Sequence, residues 1–383
     1  MRNIVVSSVV GLWFLASMAS LASVSSPSKH EQASQAPNGV PAVLMKKLTR
    51  GVNVTGWFGY VDPNDTAHFT SHLVDEDFQD FKKIGVDFIR LVIGPKVIYR
   101  DGAPDSTNLE FIDKGIDRLQ KAGLAVLWDL HDNGEMKLDE PEHDTSGFVR
   151  FWQAVAGHYR GVYEKSMVFE LLNEPMFLKN PEVWYALQRR TVAAIRAIDP
   201  ARTILVASTG WDGIDTLVTM TPLEQKNIIY SFHFYDPFIY THQGATWTGE
   251  QQKVMRDIPF PSSPEAVAAM IDKIPEQYKA AVRDYGEQRL GKDYLYGRLA
   301  KAKAWGTQNR VPVLLGEFGS YALVAPPDAR GRWFDAMHDV IQELGLPNAL
   351  WGYEDTFGLG RVKSADGKVH LDPVTMAHFY KKL

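Results

Sequence analysis

The sequence predicts a closed (β/α)8 barrel, an α/β fold of the TIM-barrel type, on three observations. A strand-then-helix alternation runs through eight rounds from Val52 onward. Most of the strand segments are short, β-branched or aromatic-rich and apolar throughout, the pattern of a parallel sheet covered on both faces. Polar and charged side chains collect where these segments end, and in a barrel of this kind the carboxyl ends of the strands carry the chemistry.

In order, the predicted strands are Val52–Phe58, Phe88–Ile93, Ala125–Leu130, Val168–Leu172, Thr203–Ser208, Ile228–Phe234, Val313–Gly316 and Ala349–Tyr353. The segments between them carry the helical period. Ile112, Ile116 and Leu119 fall at i, i+4, i+7, and Trp333, Phe334, Met337, Val340, Ile341 and Leu344 form a longer stripe. Gly85, Gly123 and Gly345 follow helical runs, where a C-terminal cap favours a left-handed residue. An open doubly wound sheet is the competing architecture. It would more often carry a glycine-rich phosphate turn after the first strand, and Gly51-Val52-Asn53-Val54-Thr55-Gly56 is no dinucleotide fingerprint. The connection after the sixth strand, from Asp236 to Arg310, is long, with Trp247, Pro259, Pro261, Pro264 and two helical stretches. Such an insertion is expected to shape or cover the mouth.

Composition narrows the functional classes. The 383 residues are 45% hydrophobic and 23% charged, a globular profile, and the formal charge of −5 offers no basic face for nucleic acid or anionic lipid. A neutral partner fits better. Arg2, the apolar stretch Ile4 to Leu15 and the small residues Ser17, Ala19, Ser20 and Ala22 read as a secretory signal over residues 1–22. A membrane anchor is the alternative, but the run is shorter than the ~20 apolar residues a span requires. No cysteine is present, so neither lipoprotein attachment nor a disulfide is available. Export without disulfides points to a bacterial protein, secreted or periplasmic. Residues 23–41, rich in Ser, Ala, Gln and Pro, read as a flexible lead into one domain over residues 42–383. Neither an internal repeat nor an appended binding module is visible, and a monomer is expected.

The chemistry concentrates in two stretches of the same form. Val168-Phe169-Glu170-Leu171-Leu172-Asn173-Glu174-Pro175 is an apolar run that ends in an amide, a carboxylate and a proline, which cannot donate to a central ladder. Val311-Pro312-Val313-Leu314-Leu315-Gly316-Glu317-Phe318-Gly319 likewise ends on a carboxylate, now between glycines. Other strands add Arg90, the His131 of Asp129-Leu130-His131, His233 and Tyr235, which share one face of their strand, and Trp351. Taken singly each has a structural explanation: a solvated glutamate, a core histidine, a structural ion pair, a packed tryptophan. Together they would place Arg90 and two glutamates in one pocket. Burial costs several kcal/mol per unpaired ion, so a purely structural role would need every charge matched.

Asn-Glu-Pro, Gly-Glu-Phe-Gly, Ile-Arg-Leu, Asp-Leu-His and His-Phe-Tyr-Asp, in this order of strands, resemble glycoside hydrolase family 5, the large cellulase family of retaining barrel glycosidases. The resemblance covers nearly the whole chain after residue 41. All of the family's characteristic active-site positions find their match in Arg90, His131, Asn173, Glu174, His233, Tyr235, Glu317 and Trp351. It implies that Glu174 is the acid/base and Glu317 the nucleophile, with their carboxyls about 5 to 5.5 Å apart. Arg90 and Tyr235 are then expected to hold Glu317 ionised. The nearby charge of Glu317 is expected to push the pKa of Glu174 up. Asn173 is placed for the sugar 2-hydroxyl, His131 and His233 for hydroxyls or for orienting the carboxylates, and Trp351 for stacking on a sugar ring. Trp57, Trp211 and Trp247 are candidate further platforms, though each could equally be core. No cofactor is implied, and no His-x-His or His-Glu-x-x-His pattern proposes a metal. The expected substrate is a polysaccharide, β-1,4-glucan such as cellulose. The same machinery on β-mannan, xyloglucan or an exopolysaccharide is the alternative, and an inactive carbohydrate-binding barrel is a second.

Overall fold

A computed structural model describes residues 38–140, 144–364 and 368–381. The expected signal and most of the lead lie outside the described residues. Eight parallel strands close into a barrel: β1 (Arg50–Phe58), β2 (Phe88–Ile93), β3 (Ala125–Leu130), β4 (Met167–Glu170), β5 (Thr203–Val206), β6 (Ile228–Phe234), β7 (Val313–Phe318) and β8 (Asn348–Leu350). Each strand pairs with its sequence neighbours, and β8 returns to β1. The helices that follow them are α1 (Asp75–Ile84), α2 (Ser106–Lys121), α3 (Ser146–His158), α4 (Pro181–Ile198), α5 (Ile214–Leu217), α6 (Lys292–Asn309), α7 (Pro327–Leu344) and α8 (Pro373–His378). The expected (β/α)8 barrel is therefore the observed one. Gly85 and Gly345 cap α1 and α7 in the left-handed conformation, and Gly123 is left-handed just beyond α2. Among the described residues, no helix is long and apolar enough to cross a membrane.

Alternation along the strands divides the core into two shells. Outward residues such as Ile89, Leu91, Val126, Trp128, Phe169, Ile204, Tyr230 and Leu315 pack against the helices. Inward residues Phe88, Ala125, Leu127, Val168, Leu205, Ile229, Leu314 and Ala349 form an apolar plug at the amino end of the barrel. The chain leading into β1 seals it from below with Val40, Leu44 and Leu48. Phe88 fills the lumen only because its neighbour on β1 is Gly51, where a β-carbon would lie 2.3 Å from the Phe88 ring.

Above the plug the strands are not apolar, contrary to expectation. The next inward positions are Asn53, Arg90, Asp129, Glu170 and Ser231, all buried. The long connection also differs from its expected form. Its last helix, α6, is the barrel's own sixth helix, packed on β7 and α7, so the insertion ends near Gly291. Its first part approaches the mouth, with Tyr321 N donating to Thr241 O and His242 packing on Tyr235. Farther along, Arg332 of α7 donates to Phe260 O and Tyr285 to Pro259 O.

Candidate active site

The site is built upward from Arg90, which points into the lumen and is fully buried. A guanidinium offers five N–H donors in a rigid plane. All five are used. Nε and Nη2 donate to Glu170 at 2.7 and 2.6 Å, Nη2 also to Asn173 Oδ1 at 3.0 Å, and Nη1 to Asn53 Oδ1 at 2.9 Å and Glu317 Oε1 at 2.6 Å. Asp129 adds an ion pair at 3.2 Å. Burial alone would lower the guanidinium pKa, but Asp129, Glu170 and Glu317 together hold it well above its ordinary value.

Glu317 reaches the site through a break in register. Phe232 pairs with Leu315, but the next residue, His233, pairs with Glu317, so Gly316 is an extra residue on β7. The bulge sets Glu317 beside His233. Only glycine fits it, since a β-carbon on Gly316 would lie 2.8 Å from Ser231 Oγ and 3.0 Å from His233 Nε2. Asn53 pins the bulge by donating to Gly316 O at 3.1 Å. Tyr235 donates to Glu317 Oε2 at 3.0 Å, so both carboxylate oxygens are held.

Glu174 comes from the far end of β4. Its φ of 41° is left-handed, at the turn into Pro175. His233 Nδ1 lies 2.8 Å from Glu174 Oε1 and 3.5 Å from Glu317 Oε2. One donor atom from each of Glu174, His233 and Glu317 falls within 4.8 Å of the others. These three are also the described residues that could surround a cation. A quarter of the Glu174 side chain (26%) faces the groove, while Glu317 is almost wholly enclosed.

The electrostatics separate the groups. Burial pushes Glu174 up to about 7, with His131 and Arg90 opposing. Burial, more than the expected charge of Glu317, is what raises it. Glu317 is likewise raised by burial, with Glu174 adding to the rise and Arg90 opposing it; each carboxylate disfavours ionisation of the other. Burial also carries Asp129 up to about 7 and Asp212 up to about 8, and lowers His131 and His233 to about 4. Both imidazoles are therefore neutral near pH 7 and serve as hydrogen-bonding groups.

The remaining expected residues divide. Asn173 gives its Oδ1 to Arg90, which leaves the amide N–H groups on the other side. His131 is held at Nδ1 by Asp129 (2.7 Å) and at Nε2 by Tyr60 (2.8 Å), and its ring stacks on Trp351 at 5.3 Å. Trp211 and Trp247 are exposed at the rim, 50% and 61%. Trp57 is not a platform. It is 1% exposed, donates its indole N–H to Phe69 O and packs over Gly115 of α2. The register of β1 against β2 shifts between Val54 and Phe58, and Trp57 lies in that irregular stretch, packed into the helix layer. Glu170, Asn53, Tyr60 and Asp212 were missed. For Glu170 a signal existed: it shares its inward parity with Val168, so a buried cation had to meet it.

The family model described as Cellulase (glycosyl hydrolase family 5) matches residues 50–356. The chain belongs to glycosyl hydrolase family 5. Endoglucanase 3 of Fibrobacter succinogenes is 30% identical to this family 5 hydrolase over 349 residues, 84% of the chain and 52% of that relative. The chain thus spans about half the length of that protein. Endoglucanase C of Acetivibrio thermocellus is 26% identical over 321 residues, 81% of the chain and 92% of the relative. The crystal structure of endoglucanase Cel5A from Thermotoga maritima superposes with a TM-score of 0.65 at 26% identity, covering 82% of this chain and 93% of that one. Family membership makes the chain a cellulase-like O-glycosyl hydrolase.

Proposed function

We propose that this family 5 hydrolase is a retaining endo-β-1,4-glucanase that works by double displacement. Glu317 is the nucleophile and Glu174 the acid/base. The observation that carries this reading is the approach of the two carboxyls to within 4.8 Å, with His233 beside both. An oxygen-to-oxygen approach this close favours direct attack on the anomeric carbon over the wider ~6.5–9.5 Å carboxyl separation of enzymes that place a water between sugar and base.

The roles follow from the surroundings. Arg90 and Tyr235 bind one oxygen each of Glu317, favouring its anion and fixing the attacking lone pair. Glu174, with its pKa near 7, holds a proton for the leaving oxygen. Once Glu317 is esterified by the sugar, its charge is gone and Glu174 is free to take a proton from water. Asn173, oriented by Arg90, presents its amide N–H to the sugar 2-hydroxyl, an interaction that strengthens in the transition state. His131 and Trp351 form one flank of the groove, and Trp211 and Trp247 at the rim are platforms for a longer chain. The endoglucanase names of the relatives support a β-1,4-glucan as substrate. We also propose export by way of residues 1–22, which N-terminal sequencing of the extracellular protein tests.

Proton NMR of the first product tests the mechanism: the anomeric configuration is retained, and an inverted first product refutes the reading. Product analysis on cellulose, β-mannan and xyloglucan tests the substrate, with β-1,4-glucan cleaved fastest. Glu317→Gly loses hydrolysis and recovers part of it with azide or formate. Undiminished activity in that variant removes Glu317 from the nucleophile role.

A further inference from the structure

Asp212 is a buried carboxyl at the mouth with no part in the reaction proposed above. It ends a turn, Gly210-Trp211-Asp212, in which three successive residues are left-handed, with φ of 67°, 58° and 55°. Glycine takes this conformation freely and aspartate tolerates it, but the bulky Trp211 between them does not favour it. The turn sends neighbouring side chains in opposite directions. Trp211 goes out to solvent, and Asp212 goes in, to 1% exposure.

The carboxyl is oriented by its own loop. Oδ1 accepts from Ser208 N at 3.0 Å and from Ser208 Oγ at 3.4 Å. Oδ2 faces His233 Nε2 at 3.9 Å. That nitrogen is buried and has no hydrogen-bond partner, and the buried hydroxyl of Ser231 bears on the Asp212 carboxyl from the neighbouring strand. The other nitrogen of His233, Nδ1, lies between the two glutamates at 2.8 and 3.5 Å. With Glu317 ionised and the proton of Glu174 carried on Oε2 for the leaving oxygen, both oxygens that face Nδ1 are acceptors; Nδ1 then carries the hydrogen, and in neutral imidazole Nε2 is an acceptor and needs a donor. Burial keeps Asp212 protonated near neutral pH, with its carboxyl up at about 8. Closing the 3.9 Å to a hydrogen bond requires a shift of about 1 Å.

We propose that Asp212 is a positioning residue for the acid/base: its carboxyl O–H, carried on Oδ2, donates to Nε2 of His233 and fixes the tautomer whose Nδ1–H is aimed at Glu174. This rests on Glu174 being the acid/base. The groups around His233 that bear on it are Glu174, Glu317 and Asp212 in near contact, with Arg90, Glu170 and His131 acting at longer range. Without Asp212 the ring can take its other tautomer, whose bare Nδ1 repels the Glu317 carboxylate and draws the acid proton of Glu174 to itself, away from the leaving oxygen.

The test compares kcat/KM on two leaving groups. Cellotetraose needs protonation of its leaving oxygen, whereas 2,4-dinitrophenyl β-cellobioside does not. Asp212→Ala is expected to lose about 10- to 100-fold on cellotetraose, part of the 10²–10⁴ that a positioned acid supplies, and about threefold or less on the dinitrophenyl substrate. Asp212→Asn, whose amide N–H also donates to Nε2, is expected to stay within about threefold of the parent on both. Equal losses on the two substrates in Asp212→Ala, no loss on either, or a loss in Asp212→Asn as large as in Asp212→Ala overturns the proposal. Glu174→Ala is the control. If it lacks the leaving-group split, the acid/base reading fails; if it has the split and Asp212→Ala does not, the role of Asp212 alone fails. A measurement on the parent protein needs no variant fold: in ¹⁵N-histidine-labelled protein near pH 7, the His233 resonances, assigned by their loss in His233→Gln, are expected to show a protonated Nδ1 and a bare Nε2. The opposite tautomer overturns the proposal.

Discussion

Glu170→Gln perturbs the ion cluster without touching the groove. Glu170 closes β4, four residues before Glu174, with 2% of its side chain exposed, and takes two charge-assisted bonds from Arg90 at 2.7 and 2.6 Å. Glutamine keeps one acceptor and turns an N–H against an N–H of Arg90. One charge-assisted bond is lost, about 1.5–3 kcal/mol, and an opposed buried donor adds about 1–3 kcal/mol. The sum is in line with the roughly 3–5 kcal/mol cost of breaking a buried pair. Set against a total stability of about 5–15 kcal/mol, that is readily seen as a fall in the urea midpoint at pH 7. Activity gives an independent readout. With Glu170 neutral, Arg90 divides its charge between Asp129 and Glu317, so Glu317 ionises more easily and the acid limb of kcat/KM moves to lower pH. Stability within about 0.5 kcal/mol of the parent, the size of a neutral surface change, together with an unmoved acid limb, would mean that Glu170 is already protonated and the reasoning is wrong.

Glu174→Gln is expected to remove hydrolysis and yet stabilise the fold. An acid whose folded pKa lies above its unfolded value costs stability as pH rises from about 4.5 through about 7, so the gain should be absent below pH 4, grow across that window and reach on the order of 1–3 kcal/mol at pH 8; unfolding curves at several pH values check it. For the same reason the parent's activity should decline as pH rises past about 7, because the acid is then ionised, which a pH–kcat/KM profile measures. Gly316→Ala forces a methyl to 2.8 Å from Ser231 Oγ and 3.0 Å from His233 Nε2, and should cut kcat by at least tenfold while KM changes little, as read from steady-state kinetics. Trp57→Phe should lower stability by about 1–3 kcal/mol with KM unchanged, through loss of its buried indole bond to Phe69, whereas Trp247→Ala should raise KM on polymer and leave the melting temperature nearly unmoved.

The fold was legible because its determinants are local. Each strand announces itself by a short apolar run, each helix by its stripe, and the stops at Gly85, Gly123 and Gly345 by the left-handed conformation they adopt. The positions of Glu174 and Glu317 were legible too, since a carboxylate ending a buried strand has few places to go. What escaped was set by register. Trp57 stayed open between platform and core because β1 is irregular against β2 between Val54 and Phe58, and a slip in a period of two reverses the face of every residue beyond it. Glu170 was hidden inside an apparently apolar run because its meaning depends on Arg90 lying 80 residues earlier. Asp212 was invisible for a further reason. Its inward aim comes from a run of three left-handed residues, and a tryptophan in the middle of it gives no sign of that conformation.

Barrel geometry explains why so much charge is tolerated in so small a volume. The plug of Phe88, Val168, Leu205, Ile229 and Leu314 closes the lumen from below, so polar groups above it cannot be solvated through the floor and must be paired with one another. One fully charged arginine facing Asp129, Glu170 and Glu317 leaves negative charge in excess unless protons are retained. Retained protons are what an acid catalyst requires. Arg90 holds Glu317 directly and Glu174 only from a distance, so pairing favours the anion on Glu317 while burial favours the acid on Glu174. The difference between the two carboxyls thus follows from which of them the single guanidinium can reach, and that reach is fixed by the extra residue at Gly316 on β7.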